Sequence, residues 1–493
     1  MLNVIFYKPA ETKSQSYKVY DENGNLVVVT TTEIYHPIRD FACETMTSAK
    51  GLLSYEEHFD GFSGSMESLS NAESLFEGTP IKFVQGEDEE EMADFSSVTI
   101  CKNMFAGCEE LESVKINFDS LMNGSAMFDG MDTLKTVEMK LGSLKVGDKM
   151  FKGTSISSFD TEMPVLESAN EMFYEITPSE STFTFKSNAP SLRYAHAMFK
   201  GIPMTSFECD LTSLEDGSDM FNGIILPADT NFIFKSNTPS LKNASGMFKG
   251  VKMSDLSGIV PNALEDASEM FYGNDSISSL VFKTPKLKKA TSMFENCNYL
   301  HQFEGDLSSL EEMDKMFKFA GSKVNGVYGL TVLKVPSLEN VKTAREAFFR
   351  SSFQNWNINL SSLEDGTGMF QHSSFLKSFT SDLSALKSGS NMFKDCPLNS
   401  FRASLSSLEN AVDMFDKSKL DAESVMYIID SLPSYESGEH NITIGINCVN
   451  NQSELDTFAS DAYYQSWEIL NNYITNKGWT VIWKDSSNNT ISL

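Results

Sequence analysis

The sequence is poor in the residue types that most enzyme and disulfide chemistry requires. Its 493 residues include seven cysteines, six histidines and four tryptophans. An odd, sparse cysteine set excludes a disulfide framework, which would be denser and usually even. Cys43, Cys101, Cys108, Cys209, Cys297, Cys396 and Cys448 read instead as small buried hydrophobes. His36, His58, His196, His301, His372 and His440 are scattered along the chain, which disfavours a metal site, and no metal is expected. No apolar run approaches the ~18 residues needed to cross a bilayer. The opening Leu2-Asn3-Val4-Ile5-Phe6-Tyr7 is too short for the core of a secretion signal and has no basic flank. GxxxxGK[ST], HExxH and GxSxG are all missing, so neither an enzyme nor a cofactor is expected. Cationic residues are outnumbered 39 to 68, for a net charge of −29. That field opposes nucleic acid and anionic membranes and favours solubility and cationic or sugar-like partners.

What the sequence has in quantity is Phe (37) and Met (25), more than a disordered chain carries. They recur together. Thirteen Met-Phe pairs run from Met104-Phe105 to Met414-Phe415, and Leu52-Leu53, Leu75-Phe76 and Ala347-Phe348 are degenerate copies, making 16 units. Most steps are 22 or 23 residues, and the longer ones, up to 31, imply loop insertions. Seven residues before the Phe stands a Leu in 13 units, among them Leu121, Leu144 and Leu363, usually followed three residues later by Ala or Gly. The pattern Leu-x-x-Ala-x-x-Met-Phe places its apolar residues on one face of a short helix. Thr212 with Glu215, Ser308 with Glu311, Ser361 with Glu364 and Ser406 with Glu409 have capping-box spacing at its start. A third segment alternates, as in Phe207-Glu-Cys-Asp-Leu211 and Val137-Glu-Met-Lys-Leu141, and predicts a half-buried strand. Each unit is thus a strand, a Ser-Leu corner, one or two helical turns and a return loop. Such a unit cannot bury its own apolar face, but stacked copies share one core.

The outward strand positions are the candidate binding residues: Lys115, Asn117, Glu138, Lys140, Asp160, Glu162, Glu208, Asp210, Glu304, Asp306, Asn357, Asn359 and Arg402. Paired acids such as Glu208 and Asp210 share a face, as in a glycosidase groove, but no His or metal motif accompanies them. The plain alternative is that all are ordinary solvated residues. The acidic run Glu87–Glu91 reads as a solvated loop tip, with Ca²⁺ or a basic partner as the other reading.

Phe105-Ala-Gly-Cys108-Glu-Glu-Leu111-Glu-Ser-Val114-Lys-Ile116 resembles the unit of the BspA-like leucine-rich-repeat family. Phe294-Glu-Asn-Cys297-Asn-Tyr-Leu300 repeats the match, and Phe393-Lys-Asp-Cys396 repeats part of it. The Met-Phe pair, where many members have Ala-Phe, is similar to a branch found in bacterial surface proteins and phage structural proteins. The resemblance covers residues 46–415. It implies an α/β leucine-rich-repeat solenoid of about 16 units, each a strand plus a short helical turn, used for adhesion or protein contact and carrying no catalytic residues. With no visible secretion signal or anchor, the leading expectation is a phage virion protein (fibre, head-surface or tail-associated). Its partners would be other virion components or a host-surface protein or glycan. A bacterial surface adhesin exported by another route and an intracellular scaffold are the alternatives, and self-association stays open.

The ends leave the repeat. Residues 1–42 contain Asn23-Gly24 between two β-rich runs, a hairpin signal, and form either a cap or an attachment module. The repeat domain is placed at 43–415. Residues 416–493 read as a carboxy-terminal α/β cap: helix 421–431, strand 441–446, a longer helix over 453–473 and strand 479–483.

Overall fold

The computed structural model describes residues 46–56, 61–86, 91–323, 329–436, 440–448 and 452–491, together with the backbone of strands Gln15–Tyr20 and Leu26–Thr31. Those two strands pair antiparallel, from Gln15 opposite Thr31 to Tyr20 opposite Leu26. The Asn23-Gly24 turn, residues 87–90 of the acidic run, Cys43, His36 and His58 lie outside the described residues. The chain divides into two compact units. One comprises residues 1–241 and 255–260, the other 242–254 and 261–493.

In the first unit each coil contributes a short strand to parallel pairs. Ser113–Asn117 lies in register beside Thr136–Lys140, and Ser158–Phe159 beside Thr184–Phe185. Many strands are two residues long and end on a buried phenylalanine, as at Phe159, Phe185, Phe207 and Phe234. A second parallel line runs through single bridges two residues past the column Leu: Ser48, Asn71, Ile100, Asn123, Val146, Ser168, Tyr194 and Asp216. Between the two lines lies the core. Phe76, Phe105, Phe128, Phe151, Phe173, Phe199 and Phe221 stack at centroid spacings of 5.2–5.6 Å with planes within 15° of parallel. Strand phenylalanines meet this stack edge-on, Phe207 against Phe221 at 5.0 Å. Both arrangements suit the ring quadrupole.

The segment carrying Met-Phe keeps the expected buried face but is not an α-helix. It is a ribbon of chained β-turns. Met127, Asp129 and Met131 donate to carbonyls three residues back, while Gly124, Ala126, Phe128 and Gly130 donate to Val146, Asp148, Met150 and Lys152 of the next coil at 2.8–2.9 Å. Alternate N–H groups are therefore satisfied locally and along the stack. A helix of eight residues would be marginal by itself and would leave its first four N–H groups without an internal partner.

The ribbon requires left-handed backbone at the residue before Met and again two residues after Phe, as at Ala126 (φ 53°) and Gly130 (φ 78°). A non-glycine residue there costs about 1–2 kcal/mol. Four inter-coil bonds at about 0.5–1.5 kcal/mol each offset that cost. The small residue after the column Leu also has a definite role. A Cβ at Gly147 would lie 3.3 Å from Met172 Cε, so the small residue makes room for the methionine of the following coil.

The predicted capping boxes have no helix to cap. Glu215, Glu311 and Glu364 instead reach along the stack to Arg193, Lys342 and Lys387, each at 2.6 Å.

The second unit repeats this plan. Its bridge line runs from Asn243 to Asn410. Its phenylalanine column runs from Phe248 to Phe415 at 5.5–6.0 Å. From Asn296 on, the second left-handed position is no longer glycine: Asn296, Phe319, Arg350, His372, Asp395 and Lys417 all hold it, with φ between 60° and 64°. The last coil opens into strand Ala411–Leu420, which pairs parallel with His440–Ile446, and that strand pairs with Trp479–Lys484. Helix α1 (Ala422–Ser431) is capped by Asp421. The long helix expected over 453–473 is two helices, α2 (Gln452–Asp461) and α3 (Trp467–Asn476). Tyr463 turns left-handed at φ 65° and Ser466 caps α3, while the Asp456 carboxylate accepts from Trp467 N at 2.9 Å. These local bonds at a hydroxyl and a carboxylate compete with helix continuation.

Candidate functional site

The alternation of each strand segment turns the predicted residues outward. Glu138, Lys140, Asp160, Glu162, Glu208, Asp210, Glu304, Asn357 and Asn359 are exposed, and Lys115, Asn117, Asp306 and Arg402 are half-exposed. Only Lys115, Asn117, Glu138, Lys140, Glu304 and Asp306 stand within strands; the others follow strands of two residues. Several pair sideways with the adjacent coil: Lys115 with Glu138 (3.9 Å), Glu208 with Lys235 (3.8 Å) and Glu304 with Lys334 (3.4 Å). Asp210 and Asp306 each accept from the backbone N–H two residues on, at Thr212 and Ser308.

The second unit gathers some of them into two grooves. One, of about 460 Å³, is lined by Lys283, Glu304, Gly305, Asp306, Lys334, Val335 and Pro336. Its polar walls alternate in sign, from Lys283 through Glu304 and Asp306 to Lys334. The other, of about 830 Å³, lies between the last coils and α1, with Thr380, Asp382, Arg402, Ser404, Tyr427 and Asp430 on its walls. Arg402 is held firmly there. Its guanidinium donates to Glu423 and to Ser424 Oγ at 2.6 Å and lies over the Tyr427 ring at 5.3 Å. Tyr427 is 43% exposed, an aromatic surface beside fixed charge, of the kind that anchors protein interfaces. Asn357 and Asn359 are on neither groove wall.

Sequence reasoning missed Lys283, Lys334, Asp382, Tyr427 and Asp430. Asp382 stands three residues after Phe379, the offset of Asp210 from Phe207 and of Asp306 from Phe303, so the column itself held that signal. Lys283 is outward in the alternating strand Ser279–Lys283. Tyr427 and Asp430 reach the groove from α1, and no repeat position encodes them.

The six described cysteines are buried packing residues. Cys108, Cys297 and Cys396, three residues past the Phe, direct Sγ at the carbonyls of Phe76, Phe271 and Phe370 at 2.9–3.0 Å. Burial pushes the Cys108 thiol up to about 11 and the Cys209 thiol up to about 12, so both stay protonated near neutral pH. His372 lies 2.9 Å from Asp395, whose carboxylate also meets Lys417. Among the described residues no three His, Cys, Asp or Glu side chains come together to hold a metal ion, and no helix is long and apolar enough to cross a membrane.

Comparison with known proteins gives consistent matches. The BspA type leucine rich repeat region matches in six copies, over residues 98–226 and 325–421. A family described as Mycoplasma protein of unknown function, DUF285, matches residues 195–320. The two overlap over 195–226, so both register the same repeat. A leucine-rich repeat protein from Bacteroides ovatus is similar over 84% of this chain and 99% of its own, at 17% identity and a TM-score of 0.43. A leucine rich cell surface protein from Faecalibacterium prausnitzii is similar over 80% and 96%, at 13% identity and a TM-score of 0.29. No curated protein matches the chain.

Proposed function

The chain is a BspA-type leucine-rich-repeat protein, and from that premise we propose that it is a non-catalytic module that binds other proteins through its outward strand face. The groove at Arg402 and Tyr427 carries this reading. It combines an exposed ring, a cation locked by three neighbours and solvent-exposed carboxylates at Asp382 and Asp430. A preorganised aromatic and charged anchor loses little freedom on binding. The assembly served, in our reading, is a phage virion, with the chain a fibre, head-surface or tail-associated component. Support comes from the Met-Phe form of the repeat. A bacterial surface adhesin is the second reading, supported by the BspA-type match itself.

The two readings separate by experiment. Mass spectrometry of purified particles should find the chain at a fixed copy number; its absence there, with removal by protease from intact cells, would favour the adhesin. In either setting the double variant Arg402→Glu, Tyr427→Ala should fold normally and lose at least tenfold in affinity for the partner found. An unchanged affinity would move the binding surface elsewhere.

A further inference from the structure

The eight-residue ribbon segment that begins one residue after the column Leu carries a pattern that neither the repeat family nor the proposed function requires. In the first unit these segments are 47–54, 70–77, 99–106, 122–129, 145–152, 167–174, 193–200 and 215–222. Their net charges alternate in sign without a break, beginning positive with Lys50 and then negative with Glu73 and Glu77. In the second unit the segments are 242–249, 265–272, 288–295, 311–318, 342–349, 364–371, 387–394 and 409–416. They alternate in the same way, from positive at Lys242 and Lys249 to negative at Glu409, Asp413 and Asp416. From Leu144 onward the residue after the column Leu or Val alternates even by itself, as in Lys145, Glu167, Arg193 and Glu215.

Geometry gives the alternation a consequence. Successive coils lie about 4.8 Å apart where their backbones pair, so equivalent side chains on neighbouring coils face one another directly. Like charges in that position repel, and opposite charges bond. The structure shows the bonds on both edges of the ribbon. At its start Glu364 meets Lys387 at 2.6 Å and Glu265 meets Lys288 at 3.0 Å. From its end Lys152 and Lys394 reach the fifth residue of the next segment, Glu171 at 2.8 Å and Asp413 at 2.7 Å. Arg345 touches acids on both sides, Asp314 at 2.8 Å and Asp365 at 3.9 Å.

We propose that the ribbon edge is an electrostatic spine whose repeating unit is two coils, a cationic one and an acidic one, and that it specifies which coil can lie beside which. The hydrophobic columns cannot do this, because every coil offers nearly the same Leu, Met and Phe. Leaving one coil out of the stack satisfies the core but sets like charges against each other at that junction. Leaving out two restores the pairing there but strands two coils. The spine thus supplies the register that a near-identical core leaves undetermined.

A composition-neutral exchange tests this in the full chain. Glu364→Lys together with Lys387→Glu preserves that pair, the net charge and the core. It sets the new lysine beside Lys342 and the new glutamate beside Glu409. We expect the melting temperature at low ionic strength to fall by about 1–3 °C, and the difference to close in 1 M NaCl, where the screening length is about 3 Å. Equal melting temperatures at low salt would overturn the proposal, since isolated pairs would then account for everything. A deficit unchanged by salt would overturn it as well, pointing to packing. So would a low-salt melting temperature that rises with protein concentration in the native chain but not in the exchange variant, which would place the charges between chains.

Discussion

Truncating Phe128 to alanine tests the core directly. Phe128 is wholly buried and lies in the interior of its column, with Phe105 at 5.2 Å and 1° on one side and Phe151 at 5.4 Å and 12° on the other. Removing a buried phenylalanine ring costs about 3–5 kcal/mol through lost transfer energy and the cavity left behind. Both neighbours here are rings whose backbones are tied to that of Phe128, since Phe105 N donates to Met127 O and Phe128 N to Met150 O. Neither can close the gap without breaking the inter-coil ladder, so the loss should fall in the upper half of that range. Urea unfolding followed by circular dichroism gives the total. Hydrogen exchange should show the loss spread over the coils on both sides, as expected of a stack coupled through nearest neighbours. A total below about 1.5 kcal/mol, the scale of a volume-conserving core exchange, would refute the claim that the phenylalanine column holds the coils together.

Three further outcomes follow from the same structure. Gly153→Ala should destabilise by about 1–2 kcal/mol, because Gly153 sits at φ 69° with its Cβ direction 3.3 Å from Gly130 Cα; thermal unfolding would show it. The described cysteines are buried, and burial raises the Cys108 thiol to about 11, so Cys101, Cys108, Cys297 and Cys396 should resist iodoacetamide at pH 8 until the chain is unfolded, as read by mass spectrometry of the labelled sites. Acid should weaken the ribbon edge. Hydrogen bonds from Lys152, Lys387 and Lys394 hold Glu171, Glu364 and Asp413 below their ordinary values of 4.5, 4.5 and 3.8. Groups lowered in this way stabilise the native state above their unfolded values and lose that contribution as pH falls through the lowered ones. The melting temperature at low salt should therefore be flat from about pH 6 to 8 and decline below about pH 4.5, more steeply than at high salt.

The solenoid was legible because its core is periodic in the sequence. Leu144, Met150 and Phe151 recur at fixed offsets, and every recurrence is buried. The helical turn was misjudged for a physical reason. Spacings of three and four residues describe an α-helical face and a chain of β-turns equally well, and only the direction of the N–H groups separates them. Left-handed alanine at 126 and 197, or arginine at 350, cannot be foreseen from residues that prefer the right-handed well. The single helix expected over 453–473 failed at Tyr463, which turns left-handed just before Ser466 caps the next helix and Asp456 takes up the Trp467 N–H, local bonds that hydrophobic period does not report. Outwardness at Glu304, Asp306 and Arg402 followed from alternation. Their gathering into grooves depended on which coils are adjacent and on α1, which lies outside the repeat.

The turn ribbon gives the second unit a directed end. Gly389, Asn391, Phe393 and Asp395 all donate forward to the coil of Phe415, at 2.8–3.0 Å, so the row of donors advances one coil at a time and must finally reach an acceptor that is not another copy. Strand His440–Ile446 occupies that place beside Ala411–Leu420. A chain cut after residue 410 would finish on donors with nothing to receive them, a template for any stray strand. Such a stack resembles a one-way thread, which needs a different stopper at its head than at its tail and cannot be closed by repeating itself.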